Sequence, residues 1–158
     1  PNIQINGQRS DTTIGVPVNE RLKLSFHTKS LPTSRLIWHC PHIVLFSSQD
    51  KKVGGPDYTE YALIRLDGES SGMDQAADNR IIVNKTEAFE SWDSWKKQNK
   101  EGFDCEVSFE RTGNTVITMT ENNGIYIRNQ TKIKDDRGTL YAALTGDQCV
   151  LTNIKING

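Results

Sequence analysis

An excess of charge of either sign is missing from this chain. Its 19 lysines and arginines stand against 20 aspartates and glutamates, a formal net charge of -1 over 158 residues. Without a basic surplus there is no electrostatic footprint for a phosphate backbone and no polybasic run for an anionic bilayer. Neither nucleic acid nor a membrane surface is therefore an expected partner. Long apolar runs are missing too. The best of them, such as Ile43 to Phe46, fall far short of the roughly twenty residues that span a bilayer, and none carries the flanks of a signal peptide. Cysteine is scarce: Cys40, Cys105 and Cys149 are too few and too scattered for a disulfide framework, and buried free thiols are the expectation. His39 next to Cys40, with His42 beyond, resembles half a metal site, but neighbours on a strand face opposite ways and could not share an ion. No cofactor is expected, with a loop-bracing structural calcium left open.

The common catalytic signatures are also absent. There is no Gly-rich phosphate loop, no Gly-x-Ser-x-Gly elbow, no His-Glu-x-x-His and no calcium-loop pattern. Asp67, Glu69 and Glu106 could supply the two facing carboxylates of a glycosidase, yet in a chain that is 25% charged most carboxylates are simply solvated. A non-catalytic role is the expectation.

What is present is period-2 alternation punctuated by Gly, Asn, Asp and Pro, which predicts an all-β fold: an antiparallel two-sheet β-sandwich of about ten strands. Leu22, Leu24 and Phe26 alternate with polar residues. Strands are expected at Arg35 to Cys40, at His42 to Ser47, from Tyr58 onward, and at Arg80 to Val83. The last third reads as a meander with turns at Thr112-Gly-Asn114, Asn122-Asn-Gly124 and Gly146-Asp147. One short helix interrupts the pattern. Ala88, Phe89, Trp92 and Trp95 form a stripe at helical spacing within Glu87 to Asn99, with Asn84 or Thr86 as cap and Gly102 as stop. That stripe is expected to be core. The near copies Ile3-Gln-Ile-Asn-Gly7 and Ile154-Lys-Ile-Asn-Gly158 fit first and last strands lying side by side. Residues 1–158 read as a single domain of a size that buries roughly two-thirds of its unfolded surface. Opening at Pro1 without a Met, the chain reads as a portion of a larger protein.

The richest segment for recognition is Asp57 to Asp67. As a strand it sends Ala62, Ile64 and Leu66 to one face and Tyr61, Arg65 and Asp67 to the other, so that a ring, a guanidinium and a carboxylate stand in a row suited to a sugar. Tyr126 and Arg128 lie opposite the inward Ile125 and Ile127, and would extend that wall if both strands share a sheet. His39 joins the same polar side, while Trp38 shares the face of Leu36 and Cys40 and is expected in the core. Asp78-Asn79 and the segment from Gly68 to Gly72 are expected to border the site as loops, with Glu69 reaching a ligand hydroxyl. Against this stands a bland alternative in which Arg65 and Asp67 form a surface ion pair contributing under about 1 kcal/mol. Asn84-Lys-Thr86 and Asn129-Gln-Thr131 match the glycosylation acceptor pattern and are given no role.

With the strands laid out, the stretch from about Tyr58 to Ile156 resembles the non-catalytic carbohydrate-binding modules of jelly-roll, concanavalin-like type that accompany bacterial polysaccharide-degrading enzymes and surface proteins. The likeness rests on Arg65-Leu-Asp67 at a strand end, a helix with Trp92 and Trp95, Gly102 before a strand that runs into Arg111-Thr-Gly-Asn114, and Leu144-Thr-Gly-Asp147. It implies binding of a polysaccharide or oligosaccharide by a monomeric, secreted or cell-surface domain, with Tyr61, Arg65 and Asp67 at the ligand. Ser70 and Ser71 stand where a tryptophan would strengthen stacking, which implies modest affinity. A protein-interaction or sensory domain, or a small glycosidase or lyase, are the alternatives.

Overall fold

The computed structural model describes residues 2–69 and 76–158. Its elements in chain order are β1 (Ile3–Ile5), β2 (Val16–Pro17), β3 (Arg21–Ser30), β4 (Pro41–Ser47), β5 (Thr59–Arg65), β6 (Ala77–Lys85), α1 (Trp92–Glu101), β7 (Phe103–Thr112), β8 (Thr115–Asn122), β9 (Ile125–Ile133), β10 (Tyr141–Gly146) and β11 (Cys149–Asn157). They form the expected all-β antiparallel sandwich. One sheet runs β1-β11-β3-β7-β8-β9-β6 and the other β2-β10-β4-β5.

Alternation decides which side of each strand is covered. Leu22, Leu24 and Phe26 of β3, Val107 and Phe109 of β7, and Ile125 and Ile127 of β9 all sink between the sheets, facing Ile43 and Leu45 of β4 and Ala142 and Leu144 of β10. The Asn123-Gly124 pair turns β8 into β9 with φ of 47° and 89°, the backbone a two-residue hairpin needs. The first and last strands do lie side by side, β1 pairing antiparallel with the start of β11, Ile3 against Leu151.

Other expectations are corrected. Arg35 to Cys40 is a succession of turns and not a strand: Ser34 N–H donates to Leu31 O at 2.9 Å, and the His39 ring accepts the backbone N–H groups of Arg35 and Leu36 through Nδ1 at 2.9 and 3.2 Å. A side chain that takes two consecutive amides curls the backbone away from any ladder. Asp78 and Asn79 belong to β6 and not to a loop. The helix starts later than expected, at Trp92, with Ser91 Oγ accepting the Ser94 N–H at 3.0 Å; Gly102 ends it as expected. Its stripe packs inward, with Trp95 1% exposed and Phe89 and Trp92 resting on the core. The three cysteines are free and buried. Among the described residues no helix is long and apolar enough to cross a membrane.

Candidate functional site

The four-stranded sheet covers the larger one with one face and carries a second face of its own. On that outer face the rows read Thr145, His42, Arg65; then Ala143, Val44, Leu63; then Tyr141, Phe46, Glu60 across β10, β4 and β5. Val44, Phe46, Tyr141 and Ala143 are buried there, because residues 13–15 and the chain around Lys51 close over β10 and β4. Gly15 sits so near the rings that a Cβ would lie 2.8 Å from Phe46 Cζ. Toward β5 the cover gives way to side chains. Arg9, whose backbone N–H donates to Gly146 O beside β10 at 2.8 Å, sends its guanidinium across β4 to Glu60 and Tyr58. Tyr58 stacks obliquely on Phe46 with ring centres 5.4 Å apart and donates its phenol to Glu60.

One row away stands a second network. Arg65 donates Nε and Nη2 to the two oxygens of Asp67 at 3.1 and 2.9 Å, and Nη2 also to Glu69 at 2.9 Å. The Asp67 side chain is fully covered while Arg65 keeps 16% exposure and Glu69 58%. Burial pushes the Asp67 carboxyl up, against the pull of the guanidinium that holds it. Opposite Arg65 on β4 is His42, 2% exposed. Its Nε2–H donates to Trp38 O at 3.2 Å, since a carbonyl can only accept, and this leaves Nδ1 buried with no partner. The same bond ties the loop of residues 31–40 to the sheet end. On that loop Trp38 is 40% exposed and Leu36 37%.

The sequence-derived candidates divide accordingly. Arg65, Asp67 and Glu69 are brought together. Tyr61 is not among them. Leu45 pairs with Ala62 but Phe46 pairs with Glu60, so Tyr61 is the extra residue of a β-bulge and turns inward beside Ala62, at 2% exposure. Its place on the outer face is taken by Tyr58, with Glu60 adding a carboxylate that the sequence reading did not single out. Tyr126 and Arg128 stand on β9, in the other sheet, and face away from the sandwich on its far side, so no common wall exists. His39 shapes the loop through its Nδ1 instead of facing a ligand with it. Trp38, expected in the core, is the most exposed tryptophan; Leu31-Pro32-Thr-Ser34 and Pro41 were the signals that this stretch turns. Of the Gly68 to Gly72 segment, Ser70, Ser71 and Gly72 lie outside the described residues. Among the described residues no group of His, Cys, Asp and Glu could hold a metal ion.

No protein-family model matches the chain, and no curated protein matches it in sequence. Among solved structures it is similar to the carbohydrate binding module CBM66 from Bacillus subtilis, with a TM-score of 0.38 and 9% identity over 99% of this chain and 86% of that one. It is also similar to the exoplasmic/lumenal domain of VIP36 in a Ca2+/Man-bound form, with a TM-score of 0.38 and 14% identity over 98% of this chain and 70% of that one. Likenesses this distant leave the chemistry of the site to its own side chains.

Proposed function

We propose that this domain binds a glycan, without cleaving it, on the outer face of the four-stranded sheet at the β5 edge. The observation that carries the reading is the exposed Trp38, whose backbone O is held by His42, the residue paired with Arg65, on a sheet face that also carries two guanidinium-carboxylate networks, Arg9-Glu60-Tyr58 and Arg65-Asp67-Glu69. A sugar ring has an apolar face of C–H groups and a rim of hydroxyls that both donate and accept. An indole meets the first, contributing about 1 kcal/mol beyond burial. Fixed guanidinium donors and carboxylate acceptors meet the second, and because they are already locked to one another little ordering is lost when the ligand arrives. The same pairing argues against hydrolysis: each carboxylate named here is occupied by an arginine, so none stands alone to protonate a glycosidic oxygen. In this reading residues 1–158 are one binding domain that tethers a larger secreted or surface protein to a polysaccharide.

Affinity electrophoresis on gels cast with glucan, mannan, xylan or galactan tests it. Retardation on at least one polymer is expected, together with its loss in Trp38→Ala at an unchanged melting temperature. Migration unaffected by every polymer, or a Trp38→Ala protein retarded as strongly as the parent, overturns the proposal.

A further inference from the structure

The outer face of the seven-stranded sheet carries a cleft of about 420 Å³ where β3 and β11 meet the end of α1. Register sets its floor. Val150 pairs with Lys29 and Thr152 with His27, and because Thr28 and Leu151 between them are buried, these side chains stand on the side away from the core. Leu31 and Pro32 add an apolar wall, and Lys100 from the last turn of α1 completes the lining. The lining is held in place from outside the cleft. Leu31 N–H donates to Gln148 O at 2.8 Å, and Thr33 Oγ1 donates to the Gln148 side chain. His27 donates Nδ1–H to Asp104 at 2.8 Å, and Gly102 packs on the same ring so closely that a Cβ would lie 2.9 Å from Nε2. Two ammoniums and an apolar floor therefore share one small space. Among the described residues neither lysine is paired with a carboxylate, and Asp104 is taken by His27. Lys100 also offsets the carbonyl end of α1, whereas Lys29, on a strand, has no such second role.

We infer that this cleft holds one anionic residue of a glycan, a sugar bearing a carboxylate or a sulfate ester, and the inference rests on the sugar reading above for its class of ligand. The acid group meets the ammoniums of Lys29 and Lys100, where charge strengthens each hydrogen bond. The C–H face of the ring lies on Leu31, Pro32 and Val150, and a ring hydroxyl reaches Thr152. Neither half of this lining is enough by itself. Inorganic phosphate would leave the apolar floor uncovered, and a neutral sugar would leave the two ammoniums without a counter-charge. Since the lining is already fixed by Gln148, Asp104 and Gly102, little of it has to be ordered when the sugar enters. The near balance of charge over the whole chain does not oppose this, because the site depends on where two lysines stand and not on their number.

Titration of the whole chain, followed by amide chemical shifts, tests it with three probes: oligogalacturonate, its methyl ester and a sulfated carrageenan oligosaccharide. Binding of the first or the third is expected, with shifts at Lys29, Leu31, Lys100 and Val150; which of them binds tells carboxylate from sulfate. The methyl ester keeps the sugar backbone and removes the charge, so it is expected to bind at least about tenfold more weakly than the free acid wherever the acid binds. Lys29→Gln is expected to weaken binding of the anionic probe at least about tenfold at an unchanged melting temperature, because this side chain is exposed. Lys52→Gln, an equal loss of charge on the loop over the small sheet, is expected to bind like the parent. No binding of either anionic probe, a methyl ester that binds as tightly as its acid, a Lys29→Gln protein equal to the parent, or a Lys52→Gln protein weakened as far as Lys29→Gln overturns the inference. Trp38→Ala leaves the shifts in this cleft unchanged and Lys29→Gln leaves retardation on the neutral polymers unchanged, so failure of the Trp38 face and failure of the cleft are separate results.

Discussion

His42 sits where a titrating side chain has least room to charge. Buried among the outer row of the small sheet, with Arg65 and Arg9 close by, its imidazole is lowered from 6.5 to about 4, chiefly by burial. The unfolded chain takes up a proton near 6.5 and the folded one resists until about 4, so stability is intact above the first value and declines as the pH falls through that window. A separation of this size corresponds to about 3 kcal/mol. Asp67 works in the opposite sense. Its folded pKa is raised, so its contribution is present below 3.8 and is lost as the pH rises through the folded value. Urea unfolding of the parent and of His42→Gln at a series of pH values separates the two. The parent is expected to lose stability from pH 6.5 toward 4 more steeply than His42→Gln, and parallel curves would show that the imidazole titrates normally. Burial pushes both neighbours toward their neutral forms, so their pH dependences run in opposite directions, and that burial comes from contacts that sequence does not carry. His42 was legible only as a residue near two others, whereas its burial and its bond to Trp38 come from a loop that folds back.

At the scale of elements, alternation located the strands and one bulge undid the side-chain assignment on β5. Every outward residue after an extra residue changes side, and nothing in Glu60-Tyr-Ala62 announces the insertion, because Tyr fits a core as well as a surface. Arg65 was nonetheless assigned to its true face, since it lies beyond the bulge together with the alternating Ala62 and Ile64. The helix gives a similar lesson. Thr86 is a real cap: its Oγ1 accepts the Ala88 N–H at 3.3 Å and its carbonyl the Phe89 N–H at 3.1 Å. It caps a single turn tucked against Gly124, where any Cβ would lie 2.3 Å from Phe89 N, and the chain then opens before starting again at Ser91. Ser91→Ala is expected to lower unfolding free energy by about 1 kcal/mol, with Ser91→Asp close to the parent in chemical denaturation. An unaffected Ser91→Ala protein would place the true start of the helix elsewhere.

Across the whole molecule, the inward faces are less apolar than alternation alone implies, and the polar groups on them are what connect layers. Asn79 of β6 accepts from Asn129 and Thr131 of β9 while donating to Tyr61 O in the opposite sheet at 2.7 Å. Asn122, 2% exposed at the end of β8, accepts the Trp95 Nε1–H at 2.9 Å and donates to Leu66 O at 2.8 Å. One amide thus joins the helix, the seven-stranded sheet and the chain between Arg65 and Asp67. Asn122 was readable as a hairpin residue from its Asn-Asn-Gly setting; that it also bridges the sheets was not, because the partners lie 27 and 56 positions away. Asn122→Ala removes both bonds inside a dry layer and leaves an indole N–H and a carbonyl without partners, at a cost of roughly 2–4 kcal/mol in denaturant unfolding. Since Leu66 is held from this side, faster amide exchange at Asp67 to Glu69 is expected as well, and with it weaker glycan retention despite an intact Trp38. A variant that loses stability while exchange at Asp67 to Glu69 stays slow would mean that Arg65 and Asp67 hold their geometry without the inter-sheet tie.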